Sequence, residues 1–145
     1  VVVPIVREQI EENAARFERL HAQLSIQLPI RIPPSHEPEP DGSVIAGKSD
    51  AYARRHPGPE DVLSVIEISE SSLAYDKTAK LRLYAAAGIR QYVIVNIPER
   101  CVEVYWAPIR KEARYSKESV RTGSQQVALV AGRKSVRVKA KDLLP

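Results

Sequence analysis

Glu67, Lys80 and Asp41 carry the residue types in this 145-residue chain that could do chemistry together. Glu67 interrupts DVLSVIEIS, a run over Asp61–Ser69 whose Val, Leu and Ile suit a buried strand. Residues two apart on a strand share a face, so Glu67 points with Val65 and Ser69, near the strand's carboxyl end. A carboxylate among apolar side chains is costly unless it is paired or binds a cation. Ligand sites favour the carboxyl ends of such strands, which sets the functional reading ahead of a structural salt bridge. Lys80 lies in a predicted helix, Lys77–Ala87. At about 100° per residue, Ala79, Leu83, Tyr84, Ala86 and Ala87 form one apolar arc with Lys80 near its centre. A lysine there either snorkels to water or meets an anion inside, and Glu67 is the nearest candidate anion. Asp41 is ambiguous. Pro40-Asp41-Gly42 is a turn signature, but the acid also precedes a short apolar run that could neighbour the strand of Glu67. Two acids and a lysine from separate elements suggest a metal-dependent site that cleaves phosphodiesters.

Competing constellations fail. His21, His36 and His56 lack the close spacing of zinc ligands, and the lone Cys101 adds nothing to them. There is no glycine-rich phosphate loop and no nucleophile elbow. Tyr105 and Trp106 are too few for a base-stacking platform.

The elements that must position these residues follow from pattern. Ile10, Ala14, Phe17, His21 and Leu24 recur at steps of three and four, predicting a helix over Arg7–Leu24 with His21 half-buried on its stripe. Ser25–Pro33 reads as extended because Pro29, Pro33 and Pro34 exclude helix; Ser35–Pro40 reads as a stiff connector. Asp41–Ala46 is a short strand, Gly47–Glu60 an exposed loop, and Asp61–Ser69 a central strand apolar on both faces. Ser69–Tyr75 is a polar loop, Asp76 the N-cap of the helix, and Gly88 its stop. Gln91–Ile97 and Cys101–Ala107 are strands joined by a tight turn, and weaker strands follow at Ala113–Lys117, Gln126–Val130 and Ser135–Val138. The order predicts an α/β (α+β) domain with one mixed sheet, parallel where a helix crosses between two strands.

Composition bounds the rest. The chain is 43% hydrophobic and 28% charged, and its apolar runs are interrupted by charge, so no transmembrane helix is expected. VVVPIV is too short for a signal peptide, and without an initiator Met the chain reads as a fragment or a processed form. One cysteine rules out an internal disulfide and suits a reducing compartment, with cytoplasm the default. Charge is uneven: Pro98–Pro145 holds 11 basic and 5 acidic residues, against 11 and 13 before it. A basic half beside an acidic site region is compatible with a polyanion substrate, although a basic surface also simply aids solubility.

The segments EPEPD, DVLSVIEISESSLAYDKTAKLRLYAAAGIRQYVIVN and VEVYWAP resemble the Uma-two-type family of restriction endonucleases, within the PD-(D/E)XK nuclease superfamily. The resemblance runs from Gln27 to Pro108. Its most specific part is an E-x-S followed by D-x-x-x-K-L-x-x-Y-A-x-A-G-I: Glu67, Ser69, Asp76, Lys80, Leu81, Tyr84, Ala85, Ala87, Gly88 and Ile89. It implies a restriction-endonuclease-like core, with a mixed sheet flanked by helices, and Mg²⁺- or Mn²⁺-dependent cleavage of DNA. Asp41 and Glu67 would bind the metal, the carbonyl of Ile68 would complete the shell, and Lys80 would be catalytic. The superfamily lysine usually lies two residues after the glutamate, where this chain has Ser69, so Lys80 looks like its relocated replacement. Against the family pattern VVVPIV keeps only the end of an opening segment, so residues 1–145 read as one domain with a shortened N-terminus. Cutting both strands generally needs two sites, which a homodimer would supply, but the sequence shows no interface. The alternatives are a non-catalytic nucleic-acid-binding module that keeps the fold, or a purely structural oligomer subunit.

Overall fold

The computed structural model describes residues 3–47, 52 and 54–145. Along the chain run α1 (Val3–Glu18), β1 (Ala22–Ile26), β2 (Gly42–Ala46) and β3 (Val62–Ser69). A continuous helix follows, made of α2 (Leu73–Tyr75), a π-helical turn (Asp76–Lys80) and α3 (Leu81–Ala86). Then come β4 (Gln91–Asn96), β5 (Cys101–Ile109), β6 (Arg114–Arg121), β7 (Gln126–Ala131), β8 (Lys134–Lys139) and α4 (Ala140–Leu143). Among the described residues no helix is long and apolar enough to cross a membrane.

Strands β1 to β6 form one mixed sheet in sequential order. Every pairing is antiparallel except β3 with β4, which run parallel from Val65↔Tyr92 to Ser69↔Asn96. The helix between those two strands is the crossover that a parallel pair requires. One expectation changes: β7 and β8 leave this sheet and form an antiparallel hairpin of their own.

The hairpin lies on one face of the sheet. Val127, Leu129, Val136 and Val138 cover Ile66, Ile68, Val93 and Val95, joined by Phe17 of α1 and Leu143 of α4. The opposite face buries Val65, Tyr92, Ile94 and Tyr105 beneath Tyr84, Ala85 and Ile89 and the extended residues Ile30 and Ile32. Both faces are covered, which is why β3 and β4 read as continuous apolar runs. Burying each such Val, Leu or Ile contributes about 1.5–3 kcal/mol. Gln91 joins the hairpin to the sheet: its Nε2 donates to the Ala128 carbonyl (2.7 Å) and its Oε1 accepts the Val130 amide (3.0 Å).

Two predicted boundaries move. The helix expected over Arg7–Leu24 stops at Glu18, the Leu20 and His21 amides close its last turn, and His21 takes a left-handed φ of 56°. Leu24 lies instead in β1, opposite Val44. It continued the helical stripe because alternating Ala22 and Leu24 face the same core as Phe17. His21 is exposed, not half-buried. The second helix begins four residues early, at Leu73 after Ser72, so Asp76 is inside it and does not cap it. Gly88 ends that helix as expected, with φ +80°, and Arg110 Nε donates to the Ala86 carbonyl (3.1 Å).

Candidate active site

The site forms where β3 outruns β2. Their register ends at Gly42↔Ile66, and Asp41, the residue before β2, replaces the missing strand partner. Its Oδ2 accepts the Ile68 amide at 2.7 Å, and its own amide faces Glu67 Oε1 at 3.3 Å. A strand residue's N–H and C=O lie on the same side, so the Ile68 carbonyl faces this open edge too. Asp41 is therefore held beside Glu67 by β3 itself.

Glu67 shares the helix-covered face with Val65 and is 2% exposed. Its Oε2 accepts Lys80 Nζ at 2.9 Å and the Tyr84 hydroxyl at 3.1 Å. Burial nevertheless pushes its carboxyl up to about 7, and the nearby charge of Asp41 adds to the rise, against the lowering by Lys80. Lys80 shifts upward as well. Burial opposes its charge, but its hydrogen bond to Glu67 and the charges of Glu67 and Asp76 outweigh that. The pair does not relieve Glu67 because the carboxylate has lost more hydration than one lysine returns.

Lys80 reaches Glu67 as expected, although the helical arc does not lie where the count placed it. Ala79 and Ala86 are exposed, and the inward face is Asp76, Tyr84 and Ala85 with Lys80 half-buried. Asp76, Lys80 and Tyr84 follow at four-residue spacing along one side, and a π turn, of a kind that recurs at functional sites, spans Asp76–Lys80. Asp76 is 1% exposed. Its Oδ2 accepts the hydroxyls of Ser69 (2.5 Å) and Ser72 (2.8 Å), and its carbonyl accepts the Tyr92 hydroxyl (2.9 Å). Its Oδ1 forms an ion pair with Lys80 Nζ at 3.4 Å, yet the angles make no hydrogen bond, so that buried oxygen accepts none.

Residues 7–136 match the Uma2 family, described as "Putative restriction endonuclease". The chain belongs to this family. Its fold matches the crystal structure of a nuclease, itself described as putative and belonging to DUF820, from Anabaena variabilis. The TM-score is 0.66 at 17% identity, covering 96% of this chain and 77% of that one. No curated protein matches.

A hard divalent cation requires oxygen donors on a common edge. Among the described residues no group of three or more His, Cys, Asp or Glu side chains converges to hold a metal. Two acids suffice for Mg²⁺, which keeps several waters and takes one or two carboxylates together with substrate phosphates. Asp41, Glu67 and the Ile68 carbonyl offer only oxygen donors on one edge, and the uncomfortable charge of Glu67 is what a cation would relieve. These residues fit such an ion. The histidines do not assemble: His21 is exposed in a turn, His36 bridges to Ile32, and His56 pairs with Glu37.

Sequence reasoning took Asp76 for a cap and left Tyr84 on the apolar arc. The available signal was spacing. Asp76, Lys80 and Tyr84 lie four apart, which stacks them along one side of a helix.

Proposed function

We propose that this Uma2 protein is a Mg²⁺- or Mn²⁺-dependent endonuclease that hydrolyses phosphodiester bonds of DNA. The observation that carries the reading is Glu67: a buried carboxylate in an apolar strand, raised in pKa, with Asp41 and Lys80 brought to it from two other elements. Asp41, Glu67 and the Ile68 carbonyl would hold the cation, which when bound supplies a more acidic water and neutralises phosphate charge. Asp41 is oriented for this by the Ile68 amide, and Glu67 by the Tyr84 hydroxyl. Lys80, kept protonated by its two acids, places a positive charge at the edge where a phosphate would lie. There it favours the extra negative charge of the transition state. Ser69 occupies the superfamily's lysine position and donates its hydroxyl to Asp76. The basic C-terminal half favours a polyanionic substrate, and two copies of the chain would cut both strands of a duplex.

The test is nicking of supercoiled plasmid by purified protein with Mg²⁺ or Mn²⁺. Cleavage by the wild type that disappears with chelator and in Glu67→Ala and Lys80→Ala supports the assignment. Equal cleavage by all three proteins means a contaminant and removes it. Salt-sensitive DNA binding with no cleavage in any of them means a non-catalytic binding module.

A further inference from the structure

Asp76 is a third carboxylate at the site, and its geometry is unequal. One oxygen is held by two serine hydroxyls, and the other is buried with no hydrogen bond. A buried acceptor left without a donor is unfavourable, and native structures contain few. The two serines prevent the carboxylate from rotating, and Tyr92 holds the backbone carbonyl of the same residue. Oδ1 therefore stays beside Lys80 Nζ, 3.4 Å away. The ammonium itself is hydrogen-bonded to Glu67 Oε2 at 2.9 Å, and on another side it lies 5.8 Å from the ring centroid of exposed Tyr75.

In this arrangement Lys80 occupies the carboxylate that a divalent cation needs. Two positive charges on one buried carboxylate repel, so the cation and Lys80 compete for Glu67. An ammonium has three donors on a flexible four-carbon stem, so a lysine released from Glu67 needs only a small turn at 3.4 Å to align one of them with Oδ1.

We propose that Asp76 is a positioning residue: its Oδ1, ion-paired with Lys80 but not hydrogen-bonded, accepts a hydrogen bond from the Lys80 ammonium when a divalent cation claims Glu67. The lysine is thereby kept in the site and not expelled to solvent. Ser69 and Ser72 hold the receiving carboxylate in place, so the position vacated by the superfamily's lysine supports the relocated one. This inference rests on the nuclease reading insofar as Asp41 and Glu67 bind the cation.

The experiment measures cation binding, not cleavage. Mg²⁺ and Mn²⁺ affinities are determined by calorimetry, without DNA, for wild type, Asp76→Asn, Lys80→Met and the double variant. Asp76→Asn is expected to weaken binding about tenfold, the scale of losing an outer-shell partner. In the Lys80→Met background, with no ammonium to displace, the same substitution should have an effect below about twofold, a non-additive cycle. A tenfold loss in both backgrounds would make Asp76 a ligand and overturn the proposal, as would no loss in either. A second readout needs only the wild type: with ¹⁵N-lysine, the Lys80 ammonium resonance, assigned through Lys80→Arg, moves as Mg²⁺ saturates. An unmoved resonance on saturation overturns the proposal and leaves the nuclease reading standing. No saturable cation binding by the wild type overturns both.

Discussion

Two buried glutamates lie on the same face of the sheet, alike in burial and in two kinds of partner but opposite in how they hold their charge. Glu67 on β3 and Glu103 on β5 are 2% and 5% exposed. Each meets a lysine from the same π turn, Lys80 and Lys77, and each accepts a tyrosine hydroxyl. Yet Glu67 is pushed up to about 7, whereas Glu103 is held below the ordinary glutamate value. Burial opposes ionisation in both. At Glu103 it is outweighed by hydrogen bonds from Tyr105 (2.5 Å), Asn96 (2.7 Å) and Lys77 (3.1 Å). Glu67 has a long contact with the Asp41 amide in place of a third strong donor, and the charge of Asp41 nearby. A buried acid is thus not by itself a site. What marks Glu67 is incomplete satisfaction beside a second carboxylate.

The largest expected effect separates the two acids by function. Glu67→Gln should lower Mg²⁺-dependent nicking at least about a hundredfold, the scale of losing one transition-state contact. Glu103→Gln should leave nicking within threefold, about the limit for a residue outside the chemistry. Comparable losses in both variants would dissolve the distinction.

Stability should run the other way. Glu103→Gln is expected to destabilise by about 1.5–3 kcal/mol, the range for hydrogen bonds to a charged group. Glu67→Gln should be neutral or stabilising at pH 8, because it removes a poorly solvated charge; urea unfolding of the two variants is the check.

The pH dependence sharpens this further. Glu67 has a folded pKa above its unfolded value, so its contribution is complete below about 4.5 and is lost as pH rises through about 7. The decline amounts to about 3 kcal/mol at most, and Glu67→Gln should abolish it. Glu103 has a lowered pKa, so its contribution is present above the ordinary glutamate value and lost as pH falls through the folded one. Because a cation binds the ionised acid, Mg²⁺ affinity should also rise through about pH 7. The smallest effect concerns Tyr84→Phe, which removes one donor from Glu67 at about 1 kcal/mol. It should move that midpoint upward by less than about one unit, with no matching change at Glu103.

The sequence carried β3, β4 and β5 clearly, because strands covered on both faces must be apolar throughout. It also pointed to Asp41, Glu67 and Lys80, which hydrogen bonds join in the structure. It did not separate Glu67 from Glu103: each is one acid in an apolar strand, and only Asn96, Tyr105 and Asp41, distant in the chain, tell them apart. The helix start was misplaced because Asp76 resembles a cap locally. Its inward position follows from its four-residue spacing to Lys80 and Tyr84, which the cap reading passed over. Leu24 misled for a related reason, since a strand and a helix can direct side chains to one core with the same spacing.

Gln91 has a consequence for how the molecule opens. Its side-chain amide bonds the backbone of β7 at Ala128 and Val130, taking the place of a neighbouring strand. The hairpin is therefore latched to β4 by one residue, on the sheet face away from Glu67. Native proteins open in cooperative pieces below the global unfolding free energy, and this latch outlines one. In Gln91→Ala, amide exchange should accelerate first across β7 and β8 while the β3–β4 pairing keeps its protection, so the far cover can breathe without disturbing the acids.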